Sequence, residues 1–562
     1  MKNACKGWPI LRSVFASAVV VLSGLLLIPA TTASAAPRAS GASGHLTIIG
    51  APDGPFAPGW NPFSLSNSPH TQGATSLVYE PLMQYNLSKT GQIYPWLATS
   101  WSWATGGREL ILKIRKGVKW TDGKPLTAAD VAFTFNLMKK FPALDGVGVT
   151  FTSASAPNAT EAIVKFPRAG YQQLFDLSQV LIVPEHIWKN IENPVTYVDD
   201  NPIGTGPYTV KSYSAQEFTL TANPHYWQKG KPEIAELHFL SYASNPSADL
   251  SISAGTIDWN TVFMSNYKTG FLKKNPKKHF ESVSPIGNFY MCPNDAKAPF
   301  SSPTVRKALS EALNRNTIVS EGERGFYFAT DSATALSLPR WKKWLTPTLS
   351  NDTLKFDPAG AKALLEKAGF KAGANGMLNE PNGKPFNLSL LGPSPYTDWM
   401  TDLQLIASEL KQAGINATVN GVSVSAWTND YTVGNYTMTF CGQFITGNPF
   451  SIYNYMLNSA LGAPIGKNAT GDVERFTSPQ ADAALAAASS TNSTAQLKKD
   501  YATLESIMVK DMPAIPIFDG GAWAGYTTTN AVGWPSAKSP YQANGVMSPW
   551  DEVIAVRLRP AR

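Results

Sequence analysis

A chain of 562 residues is too long to fold around one hydrophobic core, since a single core stops growing at roughly 250 to 300 residues. Hydrophobic residues make up 43% of the chain and charged residues only 15%, and this balance excludes a disordered, charge-rich polymer. The sequence therefore predicts a folded protein that is divided into several domains or lobes.

The first 35 residues have the pattern of a secretory signal peptide. A cationic head, an apolar run and a small-residue cleavage site follow one another: Lys2, Lys6 and Arg12, then 14–28, then Ala-Ser-Ala at 33–35. We predict cleavage before Ala36, with residues 36–44 as a flexible linker. An uncleaved membrane anchor is the alternative, but an apolar run of about 15 residues is short for a hydrocarbon core of ~30 Å.

Two cysteines remain after such a cleavage, Cys292 and Cys441, because Cys5 lies in the leader. In an oxidising compartment these two residues are a candidate disulfide. Each of them also ends an apolar run, so two separate buried thiols are the alternative. The cysteine pattern alone leaves both possibilities open.

Hydrophobic periodicity predicts a mixed α/β chain. Apolar alternation over 110–120 indicates a hairpin-like β segment, and Thr127 and Asp130 have the spacing of a capping box that begins a helix. Further elements are predicted in the second half: helices at 302–313, 357–368, 397–413, 479–488 and 494–511, and strands at 415–419 and 515–518.

No sequence-local motif for catalysis or metal binding is present. The 6 histidines are too far apart in sequence for a metalloprotease helix or a local zinc site, and no Gly-x-Ser-x-Gly nucleophile elbow occurs. The adjacent acidic residues Asp551 and Glu552 are expected to be structural. We therefore predict no metal, no cofactor and no enzymatic activity, with a secreted hydrolase as a distant alternative.

Nucleic acid is not an expected partner. The formal net charge of +7 includes the three cations of the leader, and no cluster of Lys and Arg is interleaved with aromatic residues.

Several segments, read together, resemble one known family. The longest is KIRKGVKWTDGKPLTAADV at 113–131, and others are YEPL at 79–82, YPWLA at 94–98 and PIGTGPY at 202–208. They resemble the extracytoplasmic solute-binding proteins of family 5, the oligopeptide- and dipeptide-binding receptors of ABC importers. The resemblance covers essentially the whole chain after the leader, in the order found in the family.

The resemblance implies a mixed α/β, bilobal fold of the periplasmic-binding-protein type (type II, Venus-flytrap) with an extra inserted subdomain. Two crossing strands would form the hinge, and ligand would be sealed between the lobes. The implied boundaries are 45–83, 204–288 and 519–562 for the first lobe, 84–203 for the inserted subdomain and 289–518 for the second lobe. An ABC permease and its ATPase would be the partners of a monomeric receptor. Similar members also carry a cysteine pair spaced like Cys292 and Cys441, which favours the disulfide.

The resemblance further implies that the ligand cleft is formed by the loop 58–63 and the stretch 440–444. The residues predicted to bind ligand are Trp60, Asn61, Phe63, Phe440, Cys441, Gly442, Gln443 and Phe444. In peptide-binding members an acidic residue stands two positions after the second cysteine, where this chain has Gln443. Because a buried ammonium loses much of its compensation without a carboxylate, Gln443 counts against a free peptide amine. An oligopeptide and a β-linked oligosaccharide of the cello or xylo type both remain candidate ligands.

The expected cleavage site lacks the lipid-modified cysteine that anchors many such receptors, because Ala36 stands there. The sequence therefore predicts an exported protein that is periplasmic, associated with the cell surface or secreted.

Overall fold

A mixed sheet of 11 strands runs through the protein. The computed structural model describes residues 41–562 apart from 339, 351, 374–375 and 442–446. The predicted signal peptide, residues 1–35, and the first part of the linker lie outside the described residues.

The strands are numbered in chain order. They are β1 Ser43–Ile49, β2 Met83–Tyr85, β3 Ile93–Pro95, β4 Ala98–Ala104, β5 Glu109–Ile114, β6 Ser153–Asn158, β7 Glu161–Lys165, β8 Tyr208–Tyr213, β9 Glu217–Ala222, β10 Ile234–Leu240, β11 Trp259–Asn260, β12 His279–Pro293, β13 Phe328–Ala329, β14 Lys371–Ala372, β15 Leu378–Asn379, β16 Asn387–Pro393, β17 Asn416–Val422, β18 Met438–Cys441, β19 Ile515–Thr527, β20 Ala531–Val532 and β21 Arg559–Pro560.

The helices range from single turns to long amphipathic segments. They are α1 Ser68–Thr71, α2 Ala128–Lys140, α3 Leu174–Leu177, α4 Glu185–Trp188, α5 Asn245–Ala254, α6 Tyr267–Gly270, α7 Pro303–Glu311, α8 Arg315–Thr317, α9 Pro358–Lys367, α10 Thr397–Gln412, α11 Val424–Val433, α12 Pro449–Leu457, α13 Pro479–Ser489, α14 Thr494–Asp511 and α15 Glu552–Ala555. A π-helical turn, Ile318–Gly322, continues α8.

The large sheet has the strand order β17-β16-β18-β12-β19-β11-β1-β10-β9-β8, with β13 beside β19. We call β11, β1, β10, β9 and β8 half-sheet A, and β17, β16 and β18 half-sheet B. β1 is parallel to β10 and β11, and β16 is parallel to β17 and β18. A separate sheet of four strands, β4-β5-β7-β6, packs against α2 and shares the hydrophobic core of half-sheet A.

The two half-sheets are connected by the long antiparallel strands β12 and β19, of 15 and 13 residues. Their register shifts between Pro285 and Gly287, opposite Gly521 and Gly520. Gly521 has φ +139°, and a Cβ there would lie 2.9 Å from the backbone oxygen of Ser284. Only glycine fits this point without strain, so the chain crosses between the half-sheets at a position where a side chain is not tolerated.

Each half-sheet has its own hydrophobic core. On the side of half-sheet A, Leu46 and Ile48 of β1 share a core with Ile554 and Leu558 near the C-terminal end of the sequence. On the side of half-sheet B, the core contains the buried faces of α7, α9 and α10 together with β16, β17 and the first residues of β19.

Local sequence signals set several helix ends as predicted. The backbone N–H of Ala129 donates to Thr127 Oγ1 at 3.2 Å and that of Thr127 donates to Asp130 Oδ2 at 2.8 Å, which is the capping box at the start of α2. The helix predicted over 494–511 is α14, with Ser493 as its N-cap. The prediction of mixed α/β structure is confirmed.

Two predictions about strands need correction. The hairpin-like segment is only partly right: β5 pairs with β4 and β7, but the residues after it fold back on themselves, with an antiparallel bridge between Lys119 and Pro125. The strand predicted to end at Phe518 continues to Thr527, since β12 supplies a partner along its whole length and holds Asp519, Gly520 and Gly521 extended.

A disulfide joins Cys292 at the end of β12 to Cys441 at the end of β18, with Cα atoms 5.8 Å apart. Both residues are buried. Among the described residues, no helix is both long and apolar enough to cross a membrane.

Candidate ligand-binding site

A cavity of about 390 Å³, which we call the main cavity, lies where both half-sheets meet β12 and β19. One side is formed by residues that follow β1 and β11, such as Ala51 and Phe263, and the other by Tyr396 and Trp399 at the start of α10. The volume is within the roughly 300 to 1,000 Å³ that ligand pockets occupy. The main cavity is therefore the candidate binding site.

Aromatic side chains form much of the wall of the main cavity. They are Phe263, Phe289, Tyr327, Tyr396, Trp399, Trp523 and Trp550. Trp399 is held in place by other rings: it stacks on Phe440 at 5.2 Å and contacts Phe289 edge-on at 5.8 Å between ring centroids. Such a wall offers flat apolar faces in fixed positions, which suit the apolar faces of a ligand.

Hydrogen bonds cross from one side of the main cavity to the other. Tyr396 Oη donates to Asp53 Oδ1 at 2.6 Å, and Asn245 Nδ2 donates to Asp398 Oδ1 at 3.0 Å. Burial raises the pKa of Asp53 and raises the pKa of Asp398 to about 6. Asp53 and Asn245 belong to the side of half-sheet A, and the other two residues to the side of half-sheet B, so these bonds hold the cavity closed.

A second set of contacts joins the segment around α3 to helix α12, away from the main cavity. Ser451 Oγ donates to Asp176 Oδ1 at 3.1 Å, and Asn448 Nδ2 donates to the carbonyl oxygen of Gln172 at 3.0 Å. Burial raises the pKa of Asp176 to about 7. The residues implied to form the inserted subdomain thus contact those implied to form the second lobe.

His70 lines the main cavity from the end of α1. Its Nδ1 is buried without a hydrogen-bond partner among the described residues. Burial lowers the pKa of His70 to about 4, so the imidazole is neutral at neutral pH and offers a polar atom without a charge.

Three of the residues predicted to bind ligand, Trp60, Asn61 and Phe63, lie together on the side of half-sheet A. Trp60 is 1% exposed and contacts Phe218 edge-on at 5.4 Å. Asn61 Nδ2 donates to two backbone carbonyl oxygens of the segment 194–197, and Phe63 packs edge-on against Trp188 at 5.4 Å. None of the three lines the main cavity. This is the packing of core residues, and their role in ligand binding stays a prediction.

The second predicted segment reaches the cavity indirectly. Phe440 is fully buried behind Trp399, and Cys441 is held in the disulfide. Gly442, Gln443 and Phe444 lie outside the described residues, so their part in ligand binding also stays a prediction.

Sequence reasoning missed the residues that form the cavity wall. Tyr396, Asp398 and Trp399 stand at the start of α10, and Trp523 lies within β19 beyond the predicted end of that strand. The run Tyr-Thr-Asp-Trp at 396–399 could have indicated the site. Large aromatic side chains at the start of a helix are exposed to water unless they face a neighbouring element, so two of them in one turn suggest that another part of the chain lies opposite.

Comparison with known proteins decides the family. The sequence model of the bacterial extracellular solute-binding proteins, family 5, matches residues 92–463. The chain belongs to this family. The resemblance noted in the sequence is thus confirmed, and the protein is an extracytoplasmic solute-binding protein.

Curated relatives include the nickel-binding periplasmic protein of Escherichia coli, 28% identical over 66% of this chain and 71% of the relative. The periplasmic murein peptide-binding protein MppA of Escherichia coli is 24% identical over 78% of this chain and 82% of the relative. Both are named as binding proteins.

A solved structure of a periplasmic oligopeptide-binding protein from Thermotoga maritima, bound to mannohexaose, superimposes with a TM-score of 0.84 and 28% identity. The match covers 92% of this chain and 98% of that one. The oligopeptide-binding protein AppA of Bacillus subtilis, in complex with a nonapeptide, shares the fold at a TM-score of 0.78, with 21% identity over 93% of this chain and 99% of that one. The predicted bilobal periplasmic-binding-protein fold is confirmed.

Proposed function

We propose that the protein is the receptor of an ABC importer and captures an oligopeptide, or a similar oligomeric solute, in the main cavity. The observation that carries this proposal is the wall contributed from both sides, closed by the hydrogen bond from Tyr396 to Asp53. A ligand that contacts both sides binds the closed form better than the open form, and this difference in affinity drives closure. The closed receptor would then dock on a membrane permease that is driven by its ATPase.

Peptide is supported as the ligand by the names of relatives. One curated relative is a murein peptide-binding protein, and the Thermotoga maritima structure is of a protein named as oligopeptide-binding. The wall also contains the polar atoms a peptide backbone needs, including the imidazole of His70.

An oligosaccharide is the second candidate. The same Thermotoga maritima structure holds mannohexaose, and the aromatic wall of the main cavity offers rings on which sugar faces can stack. Cello- and xylo-oligosaccharides are also candidate ligands, because the resemblance found in the sequence implies them.

Isothermal titration calorimetry distinguishes these ligands. Pools of di- to hexapeptides and of manno-, cello- and xylo-oligosaccharides are titrated into the mature chain. We expect micromolar or tighter binding to the peptide pool. Binding to sugars alone would replace the peptide proposal, and binding to neither class would contradict the proposal as a whole.

Replacement of Trp399 by alanine tests the position of the site. Trp399→Ala removes a ring from the cavity wall, and we expect it to weaken binding by about tenfold or more. Trp103→Ala is the matched control, since Trp103 is also half-buried and packs on two rings, Phe166 and Tyr171, but is not part of the wall. Equal losses in both variants would show that Trp399 acts through folding and not through ligand contact.

Export and lobe closure complete the proposal. Residues 1–35 would be removed as a signal peptide, which N-terminal sequencing of the exported protein checks. The segments 45–83, 204–288 and 519–562 would move as one lobe against 289–518, with β12 and β19 as the hinge and the disulfide from Cys292 to Cys441 stiffening the second lobe. Small-angle scattering with and without ligand would detect the change from open to closed.

A further inference from the structure

A small side pocket of about 30 Å³ opens from the main cavity. Thr261, Phe263, Tyr327, Asp398 and Trp523 line both spaces, and Glu323 and Phe326 are added in the side pocket. Its volume exceeds the roughly 10 to 15 Å³ of cavity space that one water molecule needs. The side pocket therefore has room for a group as small as an ammonium.

Two carboxyl groups, Glu323 and Asp398, line the side pocket, and a third, Asp402, lies behind them against Glu323. Glu323 follows the π-helical turn Ile318–Gly322, while Asp398 and Asp402 stand one turn apart on α10 and so share a helix face. Glu323 and Asp402 have no exposed surface, and Asp398 is 9% exposed. The backbone comes unusually close here, since a Cβ on Gly322 would lie 1.7 Å from Asp402 Oδ1.

Two of these carboxyl groups lack hydrogen-bond donors. No other described group donates to either oxygen of Glu323 or of Asp402, so the two carboxyls have only each other as partners. Burial, reinforced by the neighbouring carboxylates, raises the pKa of Glu323, and burial raises the pKa of Asp402. Asp398 differs because it accepts a hydrogen bond from Asn245.

No cation of the described part of the chain lines these cavities to compensate the carboxyl groups. Among the described residues that line the main cavity and the side pocket, none is Lys or Arg. Arg324 is next to Glu323 in sequence, but it is exposed and lies 3.7 Å from Glu321. A buried carboxyl ionises only where a positive charge compensates it, and here that charge would have to come from outside the chain.

Aromatic rings complete the side pocket. Phe326 packs edge-on against Phe263 at 5.6 Å and against Trp523 at 5.0 Å, and Tyr327 lies beside them in the lining. Faces of such rings attract organic cations. A metal ion is a poor candidate, because the described residues include no group of three His, Cys, Asp or Glu side chains placed to hold one.

We propose that the side pocket binds a protonated amine of the solute, with the Glu323 carboxylate as its counter-charge and the rings of Phe326 and Trp523 around it. The proposal rests on the proposed function, since the amine belongs to the solute captured in the main cavity. The carboxylate then comes from a different segment than the one that contains Gln443, and the receptor selects solutes with a free ammonium group.

Without ligand the raised pKa values keep both Glu323 and Asp402 protonated. Binding of the amine releases the Glu323 proton to solvent and leaves one carboxylate paired with one ammonium, so affinity falls as the pH is lowered. The titratable groups that face Glu323 are Asp402 and Asp398 on α10 and Tyr327 ahead of β13. Each of them is acidic, and none supplies a positive charge in place of the ligand.

A half-acetylated peptide pool tests the proposal. A pool of random tetra- to hexapeptides, half of it blocked by N-acetylation, is offered to the mature chain, and the captured peptides are counted by native mass spectrometry. We expect free-amine peptides to exceed acetylated ones by about tenfold to a hundredfold, as for the loss of a charged hydrogen bond. Glu323→Gln should reduce the ratio to near one, while Glu321→Gln, an exposed acidic neighbour, should keep it.

Calorimetry on the unmodified protein gives a second readout that does not depend on the folding of a variant. Titration of the captured peptide in two buffers of different ionisation enthalpy should show release of about one proton. Equal capture of free and acetylated peptides would overturn the side-pocket proposal and leave the receptor function standing. Capture of sugars alone would overturn the amine and the peptide together, and capture of nothing would overturn the proposed function itself.

Discussion

Two pairs of buried carboxyl groups lie in contrasting surroundings. Glu80 and Glu552 sit in the core on the side of half-sheet A, and Glu323 and Asp402 beside the ligand cavity, and all four are fully buried. Burial raises the pKa of each of them. The two pairs differ in how many hydrogen-bond donors surround them.

The first pair is surrounded by donors from the folded chain. Trp227 Nε1 donates to Glu80 at 2.8 Å, Trp96 Nε1 donates to Glu552 at 3.0 Å, and Gln84 Nε2 donates to Glu552 at 2.8 Å. These bonds join the C-terminal segment to the first strands. The second pair receives no such bonds from described residues. A carboxyl pair rich in donors stabilises the fold, whereas a pair without donors at a cavity wall is suited to a ligand.

The largest expected effect comes from breaking the first pair. Glu552→Ala leaves the indole N–H of Trp96 buried without an acceptor and removes one of the two acceptors of the Gln84 amide, and we expect a loss of about 3 kcal/mol in the free energy of unfolding. Urea denaturation measures it. Glu552→Gln keeps an acceptor and should lose less. A loss below about 1 kcal/mol in the alanine variant would contradict the structural role.

The next largest effect is expected on the pH dependence of stability, at Asp551, which is next to Glu552 in the sequence. Burial raises the pKa of Asp551 to about 8, so between about pH 4 and pH 8 the folded chain holds a proton that the unfolded chain has lost. Stability therefore falls as the pH rises through this window. Asp551→Asn cannot titrate, and it should flatten the slope by up to about 1.4 kcal/mol per pH unit.

Thermal unfolding from pH 4 to pH 8 measures this slope. A residual fall is expected in Asp551→Asn, because burial also raises the pKa values of Asp176 and Asp519 to about 7. His70 acts in the opposite direction, since its pKa is lowered to about 4. An unchanged slope would show that Asp551 is ionised in the folded protein.

A smaller effect of opposite sign is expected at the second pair. Glu323→Gln removes a buried acid that faces Asp402 without a donor, so the ligand-free protein should become more stable by about 1 kcal/mol. Differential scanning calorimetry at pH 8 without peptide checks this. Destabilisation comparable to that of Glu552→Ala would remove the contrast between the pairs.

The smallest effect is expected at an exposed ion pair, which serves as a reference for the two buried carboxyl pairs. Lys113 forms an ion pair with Glu161 on neighbouring strands, and the Lys113 side chain is 55% exposed. Lys113→Ala should change the free energy of unfolding by less than about 0.5 kcal/mol. A larger change would mean that charge pairing matters in this protein even where water screens it.

The sequence predicted the regular elements well where one local signal controls them. The capping box of Thr127 and Asp130 begins α2, and the periodic segment 494–511 is α14. β19 was predicted too short, because Asp519, Gly520 and Gly521 have the composition of a turn and only pairing with β12 keeps them extended.

The candidate site was less predictable. Glu323 and Asp402 lie in separate segments without a shared motif, and only the packing of the π-helical turn against α10 brings them together. Trp60 and Asn61 stand in a conspicuous motif, yet packing and backbone hydrogen bonds account for their contacts. A motif in the sequence records which residues are unusual, but not whether they face a cavity or a core.

The core on the side of half-sheet A joins β1 to residues 546–558, which are separated by most of the chain. During export the N-terminal strands would emerge long before the segment that covers them has been translocated. Contacts between segments so distant in sequence form late in folding, because the intervening chain must first be brought together. In a chain exported from its N-terminus, β1 would therefore have to stay soluble until residues 546–558 arrive to cover it.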